Sequence, residues 1–234
     1  MNTAPRNPTS GLITFAIGDV HGCLHKLSPL LDRCRHYAGE RPTRFVFLGD
    51  YVDRGPDSRG VIEAVRALER SGPEVICLRG NHEVLMLAAY HAYEILPWML
   101  NGAMATLESY GVREPAALPP DHIEWLDSLP YRFDDGSRYF VHAGVNPLLP
   151  LDQQAEHDLV WIREPFLQSE QSFGRLIVHG HTPVAAGVPD LRPNRLNLDT
   201  GAVLGGPLTA AVFEETRVLP VGYFTNEAEG FARA

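Results

Sequence analysis

The chain of 234 residues predicts an α/β fold, a layered α/β/β/α sandwich of two mixed sheets flanked by helices. Three observations lead to it. Short apolar runs alternate with amphipathic stretches through the first third of the sequence. A helical middle follows, punctuated by proline and glycine. Short apolar runs of strand character then return.

Residues 12–17 form the first apolar run and stop at Gly18. The stretch 24–37 carries Leu24, Leu27, Leu30, Leu31 and Cys34 at helical spacing. The run 45–48 again ends in Gly-Asp, and 58–70 places Val61, Ile62, Val65 and Leu68 on one helical face. The third run, 75–78, leads into Arg79-Gly80-Asn81-His82. Strand–helix alternation of this kind implies right-handed crossovers and a largely parallel sheet.

The stretch 83–110 is helical in character, interrupted at Pro97 and Gly102. Pro115, Pro119 and Pro120 mark a break before a short helix at 121–129. Strands are expected at 138–141, 176–178, 195–198 and 208–213. Their links read as short, so this half is expected to be more antiparallel. One domain is expected over 1–234, with a flexible arm at 1–11. Residues 84–129 would be a helical insertion over the strand ends.

Composition limits the function classes. With 44% hydrophobic and 21% charged residues, the chain reads as a globular protein. Its net charge of −9 argues against stable nucleic-acid binding, which favours a basic face. Cys23, Cys34 and Cys77 cannot all pair and fit no zinc spacing, which suits reduced thiols in the cytoplasm. Cys23 directly follows Gly22 and adjoins a strand end. The first ten residues contain no apolar signal core, and no run approaches the roughly 20 apolar residues of a membrane span. Neither oligomeric state nor a protein partner can be read from these features.

The chemistry lies where the runs end. In order, the motifs are Gly18-Asp19-Val20-His21-Gly22, Gly49-Asp50-Tyr51-Val52-Asp53-Arg54-Gly55, Gly80-Asn81-His82-Glu83, His142-Ala143-Gly144 and His179-Gly180-His181-Thr182. Asp19 and His21, two apart in an extended segment, would point the same way. Asp50 has two oxygens with which to bridge two metals, Asn81 a carbonyl oxygen, and His142 and His181 imidazole nitrogens. A mixed oxygen and nitrogen set suits Mn, Fe or Zn better than Mg or Ca. Two such ions about 3.5–4 Å apart can hold a hydroxide and stabilise both oxygens of an in-line displacement. His82 could protonate a leaving oxygen, with Asp53 orienting the ring and raising its pKa. Arg54, Arg79 and Arg163 could bind phosphate bidentately. Gly18, Gly49, Gly80 and Gly144 would permit tight strand-to-loop turns.

This ordered set resembles the PPP-type calcineurin-like metallophosphoesterases, the group of serine/threonine protein phosphatases and their bacterial and phage relatives. The likeness runs over roughly residues 12–213. It implies a dinuclear site at the C-terminal ends of the strands. Asp19, His21 and Asp50 would hold one ion; Asp50, Asn81, His142 and His181 would hold the other. It also implies His82 and Asp53 as an acid dyad, and Arg54, Arg79 and Arg163 as phosphate ligands. His181, which precedes Thr182, is the matched ligand position, and His179 a packing or supporting residue. Mn is the first choice of metal. The segment Leu198-Asp199-Thr200-Gly201 resembles a family segment beside the site, without an evident role.

The remaining residues have plainer readings. Glu83 is expected to be a structural acceptor, and His25, His36, His91, His122 and His157 surface or satisfied histidines. Leu85, Met86, Leu87 and Tyr90 read as core. The leading expectation is a phosphomonoesterase acting on phosphorylated proteins or small phosphoesters, with phosphoserine and phosphothreonine foremost. The alternative is a diadenosine tetraphosphatase-like nucleoside-polyphosphate hydrolase. Asp53 and the Glu of Gly-Asn-His-Glu favour the former. A non-catalytic scaffold fits poorly, since every polar motif residue is present.

Overall fold

The computed structural model describes residues 11–92, 94–215, 217–227 and 230–233. The predicted arm lies outside them except for Gly11. Strand β1 (Ile13–Ile17), helix α1 (Leu24–Ala38), β2 (Thr43–Phe47), α2 (Ser58–Glu69) and β3 (Glu74–Cys77) follow in the predicted alternation. The three strands are parallel neighbours, Phe15 opposite Phe45 and Phe45 opposite Val75. Helix α2 starts where Asp57 accepts the Gly60 N–H at 2.8 Å, and it buries Val61, Ile62, Val65 and Leu68 as its spacing requires.

Four helices come next: α3 (Asn81–His91), α4 (Ile95–Met99), α5 (Ala103–Tyr110) and α6 (Pro120–Asp127). Pro120 opens α6, where its missing N–H costs nothing. The rest of the chain comprises β4 (Arg132–Asp134), β5 (Arg138–Val141), α7 (Glu156–Trp161), β6 (Leu176–His179), β7 (Asp190–Leu191), β8 (Arg195–Asn197), β9 (Thr209–Glu214), β10 (Gly222–Thr225) and β11 (Ala232–Arg233).

These strands make two mixed sheets, in the orders β11-β10-β9-β1-β2-β3 and β4-β5-β6-β8-β7. The second half is less antiparallel than expected. The pairs β5–β6 and β6–β8 are parallel. The links between these strands exceed the dozen or so residues a parallel crossover needs, and the first contains α7. Antiparallel pairing is kept at the edge strands β4 and β7, and where β9 returns to lie beside β1.

Strand alternation explains the layering. Ala16, Val46, Leu48 and Leu78 of the first sheet meet Phe140, Val178 and Leu196 of the second in one buried cluster. Ile13, Phe15, Ile17, Phe45 and Phe47 point the other way and pack with Leu27, Leu30 and Val65 of the helices. On the far side, Tyr139, Val141 and Ile177 pack against Leu159 and Phe166. Sheets covered on both faces favour strands that are largely apolar, and the buried centres of β1, β2, β5 and β6 are built so, with polar residues confined mostly to strand ends. Met86, Leu87, Trp98, Leu107 and Ile123 of the helical middle share the first sheet's outer cluster. Among the described residues no helix is long and apolar enough to cross a membrane.

Candidate active site

Every motif sits where a strand leaves its sheet. Asp19 and His21 follow β1; Asp50, Asp53 and Arg54 follow β2; Asn81 and His82 open α3 directly after β3. His142 follows β5, and His181 lies just past β6. Several of these loops are held in an unusual backbone state. His21, Asp50, Asp53, Arg54 and His181 all have positive φ, between 44° and 72°. Non-glycine residues avoid that region unless surrounding contacts impose it, and such residues gather at functional sites. His21 therefore reaches the centre from a turn, not by the extended alternation expected for Asp19 and His21. Gly49 lies in the left-handed region, at φ 104°. Gly80 serves differently: a Cβ there would fall on Oδ1 of Asp50.

Two groups of side chains in this region could hold a metal ion: His21, Asp50 and His82, and Asp50, His142 and His181. Asp50 belongs to both. Its Oδ2 lies 3.3 Å from His21 Nε2 and its Oδ1 3.4 Å from His142 Nε2. Asn81 Oδ1 lies 2.8 Å from His142 Nε2 and 2.9 Å from His181 Nδ1. Asp19 is buried beside these groups, its carboxylate accepting the His181 N–H at 3.1 Å.

The donor chemistry fits cations. His142 Nδ1 is 2.9 Å from the Leu48 carbonyl, which can only accept, so Nδ1 carries the proton and Nε2 a lone pair. That lone pair faces two further acceptors, Asn81 Oδ1 and Asp50 Oδ1. His21 is arranged likewise, with Nδ1 donating to the Val52 carbonyl at 2.8 Å. Burial keeps these rings neutral: it pushes His142 down to about 3 and His181 to about 2, and lowers His21 as well. Burial also raises the carboxyls of Asp19 and Asp50, and neighbouring acids, Asp199 for the first and Glu83 for the second, push the same way. Neutral imidazoles and crowded buried carboxylates are the setting that divalent cations relieve.

Beside this centre His82 Nδ1 meets Asp53 Oδ2 at 2.7 Å, and both residues are fully buried. Among the described residues His82 Nε2 has no hydrogen-bond partner, and it lies 4.0 Å from Asp50 Oδ2. The expected rise in the His82 pKa is reversed. Burial, then the nearby Arg54 guanidinium, push the ring down to about 3, while burial lifts Asp53 to about 7. A neutral imidazole donating from Nδ1 to the carboxylate is the state this pocket favours.

Glu83 accepts the backbone N–H groups of Asp50, Tyr51, Val52 and Gly80, as expected of a structural acceptor. Burial pushes its carboxyl up to about 7 while the Gly80, Asp50 and Tyr51 N–H groups pull it down. Both oxygens are occupied by donors, which suits the ionised form.

The three arginines are placed differently. Arg54 is exposed, with Nη1 3.0 Å from His21 Nε2, and its charge is felt by Asp50, Asp53 and Asp199. Arg163 is also exposed and acts on His181 and Asp199. Arg79 turns toward the end of α6, where it donates to the Leu126 and Asp127 carbonyls and lies 3.2 Å from the Tyr131 hydroxyl. His179 is buried against the Phe166 ring and belongs to neither metal-competent group. Cys23 is buried as well and joins neither group.

Two contributions were missed in the sequence. Asp199, of the segment without an evident role, is buried close enough to raise the Asp19 carboxyl. Trp98 and Thr106 hydrogen-bond the Asp53 carboxylate. A helical tryptophan reads as core, and only the need of its N–H for a partner hints at more.

Comparison with known proteins places this arrangement among phosphoesterases. The calcineurin-like phosphoesterase family model matches residues 14–209. Serine/threonine-protein phosphatase 1 of Salmonella typhimurium is 29% identical, over 84% of this chain and 90% of its own. The asymmetrical bis(5'-nucleosyl)-tetraphosphatase PrpE of Anoxybacillus flavithermus is 26% identical, over 90% and 94%. A solved structure provisionally assigned as a diadenosine tetraphosphatase superposes with a TM-score of 0.67 and 25% identity, covering 88% of this chain and 90% of that one.

Proposed function

Because the chain belongs to the calcineurin-like phosphoesterase family, we propose that it is a metal-dependent phosphomonoesterase acting on phosphoserine and phosphothreonine in proteins. The observation that carries this reading is the buried Asp53–His82 pair, with His82 Nε2 unpartnered beside Asp50. An alkoxide is a poor leaving group and needs a proton as the P–O bond breaks. A nucleoside phosphate leaves readily without one. A positioned imidazole therefore has most to contribute to an alkyl ester. The similarity to a bacterial serine/threonine phosphatase supports the same reading.

Asp19, His21, Asp50, Asn81, His142 and His181 would hold two divalent ions, Mn first and Fe or Zn next. Such ions supply activation of water and relief of negative charge at phosphorus. Arg54 and Arg163, exposed at the mouth, would bind the phosphate oxygens. The arriving dianion would lie next to His82 Nε2 and favour a proton there, offsetting the burial that otherwise keeps the ring neutral. Asp53 holds the other nitrogen, and Glu83 fixes the loops carrying Asp50 and Asn81. The buried, unpaired cysteines suit a reducing, cytoplasmic setting.

A second reading, hydrolysis of dinucleoside polyphosphates, is favoured by the nearly full-length similarity to PrpE and by the tetraphosphatase-like solved structure. The deciding measurement is kcat/KM for a phosphoserine peptide and for diadenosine tetraphosphate, side by side with Mn added. Preference for the peptide is expected. Preference for the dinucleotide would replace the first reading with the second.

A further inference from the structure

Asp53 is surrounded on every side by hydrogen bonds. Its carboxylate receives the Trp98 indole N–H, 2.9 Å from both oxygens, and the Thr106 hydroxyl at 2.7 Å on Oδ1. Oδ2 faces His82 Nδ1. The Asp53 backbone N–H is shared between Ser58 Oγ at 3.0 Å and Thr106 Oγ1 at 2.9 Å. Thr106 has a single proton, which goes to the carboxylate. The Ser58 hydroxyl, 3.0 Å away, must therefore donate to Thr106 Oγ1. The proton order Ser58 to Thr106 to Asp53 is thereby set.

Trp98 and Thr106 come from α4 and α5, far from Asp53 in sequence, and both are fully buried. The segment between them is tied to the same loop, since Arg54 donates its backbone N–H to the Gly102 carbonyl at 3.2 Å. The helical middle thus grips the loop that carries Asp53.

We infer that Trp98 and Thr106 are positioning residues for leaving-group protonation, acting on His82 through Asp53. The inference rests on the acid role proposed above for His82. In that step an oxygen of water bonds to phosphorus, the water giving up one proton to solvent, and the P–O bond to the substituent breaks with its electron pair on the ester oxygen. That oxygen takes the proton from His82 Nε2, while Nδ1–H stays on Asp53. With the indole and hydroxyl donors in place the carboxylate cannot rotate, and Oδ2 stays in line with Nδ1. Without them the carboxylate swings, the imidazole loses its tether, and Nε2 no longer meets the leaving oxygen.

The test compares phenyl phosphate with 4-nitrophenyl phosphate on the Mn-loaded protein, since nitrophenolate leaves without help and phenolate does not. Trp98→Phe and Thr106→Val should each lower kcat on phenyl phosphate by roughly 10- to 100-fold, a part of the full general-acid effect. On 4-nitrophenyl phosphate they should change it by less than about threefold, with KM and bound metal held. Thr106→Ser, which restores the hydroxyl, should recover most of the loss. An equal fall on both substrates, or a failure of Thr106→Ser to exceed Thr106→Val, would overturn the inference in favour of a packing role. His82→Ala measured in parallel separates the two levels. If it fails to discriminate between the esters, the acid role itself is wrong. If it discriminates while the Trp98 and Thr106 variants do not, only the positioning inference falls.

Discussion

The carboxylate of Glu83 accepts the backbone N–H of Asp50 at 2.8 Å, and this bond joins two of the loops that carry the proposed metal ligands. The same carboxylate accepts from Gly80, Tyr51 and Val52, so the β2 and β3 loops share one anionic anchor. A glutamine would offer one oxygen and turn an NH2 group against backbone N–H donors. Charge-assisted hydrogen bonds contribute about 1.5–3 kcal/mol each, so Glu83→Gln should cost about 3 kcal/mol. For a chain of this size that is a fall in Tm of roughly 6–12 °C. Thermal unfolding of the metal-free protein checks it, and a Tm within about a degree of wild type would refute the anchoring role.

Asp50 stands between His21 and His142, one oxygen toward each. Asp50→Asn keeps the shape but loses the second anionic oxygen. Metal content after gel filtration should fall, and turnover should drop by at least roughly 100-fold. The metal-free proteins should rank the other way. Glu83 and Asp199 raise the Asp50 carboxyl and Asp50 raises that of Asp19, so removing the Asp50 charge from the empty centre should lift its Tm by about 2–4 °C per kcal/mol relieved. Added Mn should then stabilise the wild type more than the variant. Equal stabilisation of both would remove Asp50 from the ligand set.

Much of this site was legible because each proposed ligand sits shortly after an apolar run. In an α/β sheet such positions share one edge, so Asp19, Asp50, Asn81 and His142 meet despite their separation. What was illegible arises from tertiary contact. The positive φ of His21 and His181 cannot be read from a local pattern, and at His21 it voids the alternation argument for Asp19 and His21. The direction of β6 and β8 follows from links long enough for parallel crossovers, the first of which holds the short helix α7. The His82 pKa went the opposite way because a fully buried ring loses more hydration than one carboxylate returns.

Arg54 and Arg79, grouped together in the sequence as phosphate ligands, should separate on mutation. Arg54 is exposed, and among the described residues its guanidinium hydrogen-bonds only His21. Arg54→Ala should raise KM and lower kcat, cutting kcat/KM by roughly 10- to 100-fold, the scale of one charged hydrogen bond to phosphate. Its Tm should move little. The Arg79 guanidinium is engaged with Leu126, Asp127 and the Tyr131 ring. Arg79→Ala should therefore cost stability, about 1–3 kcal/mol, with a smaller kinetic effect. Steady-state kinetics and melting of both variants decide it, and a larger kcat/KM loss in Arg79→Ala would reverse the assignment.

Away from the centre, Asp135 and Arg138 tie the second sheet to the end of β9. Arg138 donates from Nε to Asp135 Oδ2 at 2.8 Å and from its terminal nitrogens to the Arg217 and Glu215 carbonyls, its guanidinium 4.6 Å from the Phe213 ring centre. Burial alone would raise the Asp135 carboxyl. The Arg138 guanidinium and the backbone N–H groups of Arg138 and Ser137 outweigh it and hold the carboxyl below its usual range. A carboxyl depressed in the folded state stabilises fully above the unfolded value near pH 3.9. That contribution is lost as the pH falls through the folded value. Asp135→Asn should therefore lose about 2 kcal/mol at pH 7, the scale of the lost charged hydrogen bonds. The gap to wild type should narrow once the pH drops below about 4. Denaturant unfolding of the metal-free proteins at pH 7 and pH 3 removes any contribution from metal loss. A gap that is constant with pH would mean that Asp135 acts there through shape and not through charge.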